Sequence, residues 1–226
     1  MNVLLIPLVG PMQSWGTRSR FQERDTERSP SKSGVIGILA SALGRKRNDA
    51  IEDLACLDFG VRIDREGTLG RDYHTVMDVA KAGGGVSEYA QLSNRYYLSD
   101  AAFLAGLTGD KETLTAVHEA LRSPVWPPYL GRRSFPPSAP LYLADGLVEA
   151  ESLRAALVGY PLLGRPEPGT RVRLELPGGV GDHESRSDQP VSYALGERTY
   201  HDRAIHTEFV PAEQIGVKKE QGHVPQ

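Results

Sequence analysis

The sequence predicts an α+β fold: a ferredoxin-like (RRM-like) core with a protruding β-hairpin and a short β-rich C-terminal extension. Three observations lead there. Apolar runs follow one another as strand, helix, strand and again strand, helix, strand through the first 145 residues. A glycine-rich polar stretch at 76–94 interrupts that series. Beyond residue 146, period-two alternation returns without another long helix. The expected organisation is a core over 1–145 that carries the hairpin, with 146–226 packed on it as an extension.

Asn2–Val9 is an apolar run closed by Gly10-Pro11, the pattern of a buried strand ending in a turn. Thr17–Arg28 shows neither period and is expected to be a surface loop. Pro30-Ser31-Lys32-Ser33-Gly34 opens a helix that Ser31 or Ser33 can cap; Val35, Ile36, Ile38, Leu39 and Leu43 form its apolar face, and Gly44 stops it. Its small residues Gly34, Gly37, Ser41 and Gly44 are expected to lie close against a sheet. A second helix is predicted over 48–57, then a half-buried strand through Phe59, Val61 and Ile63. Arg71–Thr75 is in strand phase, and Gly83-Gly84-Gly85 suit a hairpin tip where positive φ is needed. Arg95–Leu104 is the strand returning to the sheet. Asp110–Arg122 is amphipathic, with Leu114, Val117 and Leu121 in register, and stops at Ser123-Pro124. The remainder is assigned a strand at Leu141–Leu143, a short helix at Leu147–Leu157, a strand at Thr170–Leu176, a polar loop from Gly178 to Gln189, a last strand at Arg198–Phe209 and a frayed tail from Ala212.

Hydrophobic residues make up 39% and charged residues 24% of the 226, as in ordinary globular domains. The net charge of −3 points to no polyanion, but its distribution does. Gly16–Arg47 holds eight basic residues against three acids, and Leu121–Leu143 holds Arg122, Arg132 and Arg133 with no acid. Two basic islands in a mildly acidic chain suggest a localised polyanion site, although a solvated face also carries such runs. The single Cys56 excludes an internal disulfide and suits a reducing compartment. The six histidines have no zinc-ligand spacing, so neither metal nor cofactor is expected. The first strand lacks a basic lead and contains Pro7, and no window reaches membrane length, which predicts a cytosolic protein.

The stretch Pro127-Pro128-Tyr129-Leu130-Gly131-Arg132-Arg133-Ser134-Phe135-Pro136-Pro137 cannot be a helix or central strand, because four prolines fix φ and remove donors. It is a stiff loop with two arginines between aromatic rings, suited equally to a proline-rich surface corner and to contact with phosphates and unpaired bases. The helix start at Ser31, Lys32 and Ser33 offers backbone N–H groups, hydroxyls and an ammonium to a phosphate. It is no nucleotide-hydrolysis loop, since the glycines that motif needs are replaced by Ser31 and Thr26. Trp15 suits a core or lid position more than a stacking platform. Tyr73 and His74 suit a structural or RNA-contacting role more than acid–base chemistry, for no nucleophile or orienting group accompanies them.

Four motifs then occur in series: Gly10-Pro11-Met12-Gln13-Ser14-Trp15-Gly16, Pro30-Ser31-Lys32-Ser33-Gly34-Val35-Ile36-Gly37, Asp72-Tyr73-His74-Thr75 and Pro128-Tyr129-Leu130-Gly131-Arg132-Arg133-Ser134. Together they resemble the CasD subunit family of the type I-E CRISPR Cascade complex, most closely over residues 3–145 and less towards the C-terminus. The resemblance implies a non-catalytic subunit that binds the 5′ handle of crRNA and caps the backbone filament in antiviral defence. It implies a thumb hairpin at 76–94 near a CasC-type backbone subunit and a CasA-type large subunit, with target DNA met only indirectly. It implies RNA contacts from Gln13, Trp15, Arg24, Arg28, Ser31, Lys32, Ser33, Tyr73, His74, Tyr129, Arg132 and Arg133. The region 181–189 departs from the family pattern. The alternative is a metal-independent endoribonuclease that cuts repeat RNA, with His74, Tyr73 and Lys32 as its suspects.

Overall fold

Leu4, Ile6 and Leu8 alternate with Val3 and Leu5 along the first strand, and both sets are buried. A strand apolar on both sides needs cover on both faces. The computed structural model, which describes residues 1–18, 22–81, 83–164, 169–179, 181–182 and 184–217, supplies it. In order the elements are β1 (Asn2–Val9), β2 (Met12–Gln13), β3 (Glu23–Arg24), α1 (Lys32–Ala42), α2 (Glu52–Ala55), β4 (Asp58–Arg65), β5 (Thr68–Val76), β6 (Gln91–Ser99), β7 (Ala102–Thr108) and α3 (Lys111–Arg122). There follow β8 (Leu147–Glu149), α4 (Leu153–Gly159), β9 (Arg171–Pro177), β10 (Glu184–Ser192), β11 (Thr199–Pro211) and a 3₁₀ turn at Ala212–Gln214. The fold is mixed α+β.

Seven strands form one antiparallel sheet in the order β10-β11-β9-β4-β7-β1-β8. On one face, Leu4, Ile6, Phe59, Val61 and Phe103 pack with Ile36 and Leu39 of α1 and with Leu114 and Val117 of α3. On the other, Val3, Leu5, Leu104, Val172 and Leu174 pack with Leu153 and Leu157 of α4 and with Ala212 and Ile215. Residues 147–211 therefore continue the sheet begun by the first half of the chain. A second sheet is built around β6, which pairs with β2, β3 and β5. The β5–β6 hairpin is paired from Thr68↔Ser99 to Val76↔Gln91 and extends through an Ala80–Val86 bridge to Gly84 and Gly85 at positive φ. It is longer than the 76–94 predicted.

Several expectations are corrected. Residues 48–57 hold only the single turn α2. β4 is covered on both sides, not half-buried, because Arg62 opposite Val61 and Ile63 has no exposure. Arg95–Leu104 is two strands in different sheets, broken at Asp100 with φ +56. Leu141–Leu143 is a packed loop in which Leu141 enters the core and Tyr142 stacks on His118 at 4.5 Å. The strand lies beyond it at β8, and the helix begins at Leu153, where the Ser152 hydroxyl accepts the Ala155 N–H at 3.0 Å. The polar region 184–189 is strand β10, whose inward residues are Arg186 and Asp188 where a pattern search expects apolar ones. Ala212 and Ile215 are buried, so the tail is packed to that point, and 218–226 lie outside the described residues.

Arg62 is the strongest polar tie on the α4 face. Its guanidinium pairs with Asp64 at 2.6 Å and donates to the carbonyls of Leu157, Tyr160 and Pro161, while Asp64 accepts the Leu163 N–H at 2.8 Å. Removing one partner of such a pair leaves a buried charge uncompensated. Arg62→Ala is expected to lower unfolding free energy by about 3–5 kcal/mol, measured by denaturant titration.

Candidate nucleic-acid interface

With its prolines excluding regular structure, the 127–137 loop is held by point contacts. The Ser14 N–H donates to the Leu130 carbonyl at 3.0 Å, and the Leu130 N–H donates to the Phe135 carbonyl at 2.8 Å. Leu130 and Phe135 are buried as the loop's anchors. Gly131 sits at φ +88, where a Cβ would lie 1.6 Å from the Ser14 carbonyl oxygen. Only glycine permits that approach. The contact presses the loop onto the Met12–Trp15 segment and leaves Tyr129 and Arg133 at the surface.

Arg132 turns inward from the same loop. Its guanidinium donates to the Tyr96 carbonyl at 2.7 Å and the Arg24 carbonyl at 3.4 Å and lies 5.3 Å from the Phe135 ring centre. Burial lowers its pKa from the ordinary arginine value, and the neighbouring Arg95 and Arg24 cations add to that effect against Asp72 and Asp25. Loop, β3 and β6 thus gather Arg24, Arg95 and Arg132 into one crowded positive patch, in which an incoming anion relieves like-charge repulsion. Arg24, Arg28 and Arg133 are exposed, and their side chains have no ion-pair partner among the described residues. Arg20 of the same basic island lies outside those residues.

The helix start behaves differently from expectation. Ser31 caps α1, its hydroxyl accepting the Gly34 N–H at 3.3 Å. The Lys32 N–H, however, donates to Asp188 Oδ2 at 2.8 Å, and the Lys32 ammonium donates to Gln189 at 2.7 Å. Lys32 is 4% exposed; burial and then Arg203 bring its pKa down to about 8. The protein's own carboxylate occupies the place where a phosphate was anticipated. Ser33 offers its carbonyl to the Tyr193 hydroxyl at 2.5 Å. Gln13 and Trp15 are also internal: Gln13 donates to the Leu8 and Ala101 carbonyls, and the Trp15 indole donates to Gln13 at 3.2 Å. They form the layer beneath the first turn of α1, where a Cβ on Gly34 would lie 2.9 Å from the Trp15 ring.

A profile of the CRISPR-associated protein (Cas_Cas5) family matches residues 3–206. This chain belongs to that family. It is 35% identical over 178 residues to the CRISPR system Cascade subunit CasD of Escherichia coli (strain K12), covering 72% of this chain and 79% of that protein. Among solved structures, one described as a Cas protein is 45% identical with a TM-score of 0.77, covering 94% of this chain and 97% of the other. A chain of a CRISPR RNA-guided surveillance complex is 34% identical with a TM-score of 0.80, covering 94% of this chain and 92% of the other.

The matched span of this Cas_Cas5 member takes in every residue singled out from the sequence. Tyr73 and His74 are exposed neighbours on β5, opposite Asn94 and Ser93, and adjacent strand positions face opposite sides. No hydrogen bond among the described residues joins either to Lys32, which is held by β10. No cluster of three metal-ligating side chains occurs among the described residues, and no described helix is long and apolar enough to cross a membrane. Sequence inspection did not single out Arg95, though the Arg95-Tyr96-Tyr97 run was visible. It also missed Asp188 and Arg203, which are joined at 3.0 Å through the Nε and Nη2 donors of the guanidinium.

Two outcomes follow from these contacts. Gly131→Ala is expected to cost more than about 1 kcal/mol of stability in chemical unfolding, because a Cβ is unfavourable at that φ. Lys32 titrates near 8 when folded and 10.5 when unfolded. Above pH 8 the unfolded state binds more protons, so stability rises with pH from about 8 to 10.5. Melts across that range should show the rise in wild type and its loss in Lys32→Met.

Proposed function

We propose that this Cas_Cas5 member is the non-catalytic crRNA-binding subunit of a type I-E CRISPR surveillance complex, holding the 5′ handle and capping the backbone filament in antiviral defence. The observation that carries this is the 35% identity over 178 residues to CasD, a Cascade subunit. The exposed arginines around Arg132 support it. Arg24, Arg28 and Arg133 take handle phosphates, Tyr129 offers a stacking face, and Arg132 and Arg95 add field while Arg132 braces the loop. Lys32, Ser31, Ser33, Gln13 and Trp15 contribute by shaping the support beneath, since their polar groups are engaged within the protein.

The finer features fit the same reading. The order β4-β7-β1-β8, with α1 between β1 and β4 and α3 between β7 and β8, supports a ferredoxin-like centre within the larger sheet. The β5–β6 hairpin exposes Tyr73, Met77, Val86 and Tyr89, which suits a thumb against a CasC-type backbone subunit and a CasA-type large subunit. His74 faces solvent as an RNA or partner contact. Target DNA is met indirectly, and the cytosol is the setting.

The test uses the full chain and labelled repeat RNA in chelating buffer, scored for retention and cleavage. Arg24→Ala and Arg133→Ala should each weaken retention and lower the salt slope by about 0.7. Tyr129→Ala should cost about 1–3 kcal/mol. Intact RNA is expected; cleavage that vanishes in His74→Ala would overturn the non-catalytic reading.

A further inference from the structure

A sheet edge carries unmet backbone hydrogen-bonding groups, and folded proteins blunt such edges with short strands, bulges, prolines or lysines. Both edges of the seven-stranded sheet are blunted in this way. β8 is only 3 residues long, and β10 holds Pro190 and register shifts between Arg186 and Gln189 and between Pro190 and Ser192. The outer edge of the hairpin is not. β5 runs for 9 residues, pairs with β6 without a register shift, and contains neither proline nor lysine. Among the described residues no strand pairs with its other side. Leu69, Tyr73 and Val76 along it are 42%, 62% and 44% exposed.

The contacts of β6 show which groups of β5 face outward. Asn94 donates its N–H to the Gln22 carbonyl, and the Tyr96 carbonyl accepts from Ser14 Oγ and from Arg132, all on the side away from β5. Tyr73↔Asn94 and Arg71↔Tyr96 are therefore non-hydrogen-bonded pairs of the antiparallel hairpin. It follows that Leu69, Arg71, Tyr73 and Thr75 turn their N–H and C=O groups to the open edge. None of these groups has a hydrogen-bond partner among the described residues.

Charge decides what can cap this edge. Antiparallel union with a second copy, about a two-fold axis perpendicular to the sheet, keeps every side chain on its own face. The axis then passes through a residue opposed to itself. Centred on Asp72 it opposes two carboxylates, and centred on Arg71 it opposes two guanidinium groups. Centred on His74 it sets Asp72 against Val76. Centred on Tyr73 it has no such conflict: Tyr73 meets its own copy, Arg71 meets Thr75, and Asp72 meets His74 at the closer, non-hydrogen-bonded positions. The outward N–H and C=O groups of Arg71, Tyr73 and Thr75 all find partners in that ladder. This self-complementarity favours a second copy over an unrelated strand.

We propose that the β5 edge is a self-association surface, on which two copies outside any larger complex join β5 to β5 antiparallel about Tyr73 in a continuous β6-β5-β5-β6 sheet. The proposal is independent of the RNA-binding reading. It covers an otherwise open edge in the free protein, and it makes release of the second copy a step that precedes any other use of that edge.

The experiment measures the mass of the full, nuclease-treated chain by sedimentation equilibrium from low to high micromolar concentration. Wild type should pass from monomer to dimer. Thr75→Pro removes an N–H directed at the seam and none directed at β6, a change that an edge strand tolerates. It should raise the dimer dissociation constant at least about tenfold with an unchanged far-ultraviolet circular dichroism spectrum. His74→Asp, which sets carboxylate against carboxylate, should weaken the dimer by a similar factor and decides the matter if Thr75→Pro alters the fold. Register is read by cross-linking in a Cys56→Ser background, since Cys56 is exposed. Tyr73→Cys should give a disulfide-linked dimer on mild oxidation with diamide, because opposed Cα atoms about 5.5 Å apart suit that bond. Asp72→Cys should not. A wild-type chain that stays monomeric throughout, or a dimer that both Thr75→Pro and His74→Asp leave intact, overturns the seam. Cross-linking through Asp72→Cys in place of Tyr73→Cys overturns the register and the charge argument behind it.

Discussion

A carboxylate with no solvent exposure, that of Asp188, joins parts of the chain far apart in sequence. It accepts the first N–H of α1 from Lys32 and the Nε and Nη2 N–H groups of Arg203, and Arg203 lies over the Phe59 ring at 5.3 Å. A negative charge at a helix N-terminus is favourable, and pairing it with arginine makes its burial tolerable. Through this contact β10 and β11 are seated beside α1. Glu175 makes a companion cluster, accepting from Ser29 at 2.7 Å and pairing with Arg173 and Arg186. The seven-stranded sheet is therefore joined to the approach of α1 by charge as well as by apolar packing.

One consequence reaches the surface. Because the start of α1 is satisfied internally, the RNA contact proposed above is assigned to exposed arginines on β3 and the proline loop. The position of the proline loop depends on Gly131 meeting the Ser14 carbonyl. A stiff loop held by buried Leu130 and Phe135 presents its polar residues without a large ordering cost on binding.

The lowered pKa values have different meanings at the two places. At Lys32 burial is the main cause, and the charged form is disfavoured. That fits a structural lysine. At Arg132 burial is joined by neighbouring cations, and an arginine keeps its charge regardless. That fits an arginine packed among other cations and partly offset by Asp72 and Asp25.

By itself the sequence determined the elements whose signals are local. β1, α1 with its Ser31 cap, α3, β9 and the glycine-tipped hairpin were legible because caps, turns and hydrophobic periods act within a few residues. The basic islands and the stiffness of the proline loop were legible for the same reason. Only the tertiary structure decided that β10 is a strand, since its inward positions are charged and find partners over a hundred residues away in Ser29 and Lys32, and in Glu175 on β9. It also decided that Lys32 is enclosed and that Gly37, expected close against a sheet, lies open. Whether a polar side chain meets water, ligand or protein depends on which distant segment packs over it, and no local pattern records that.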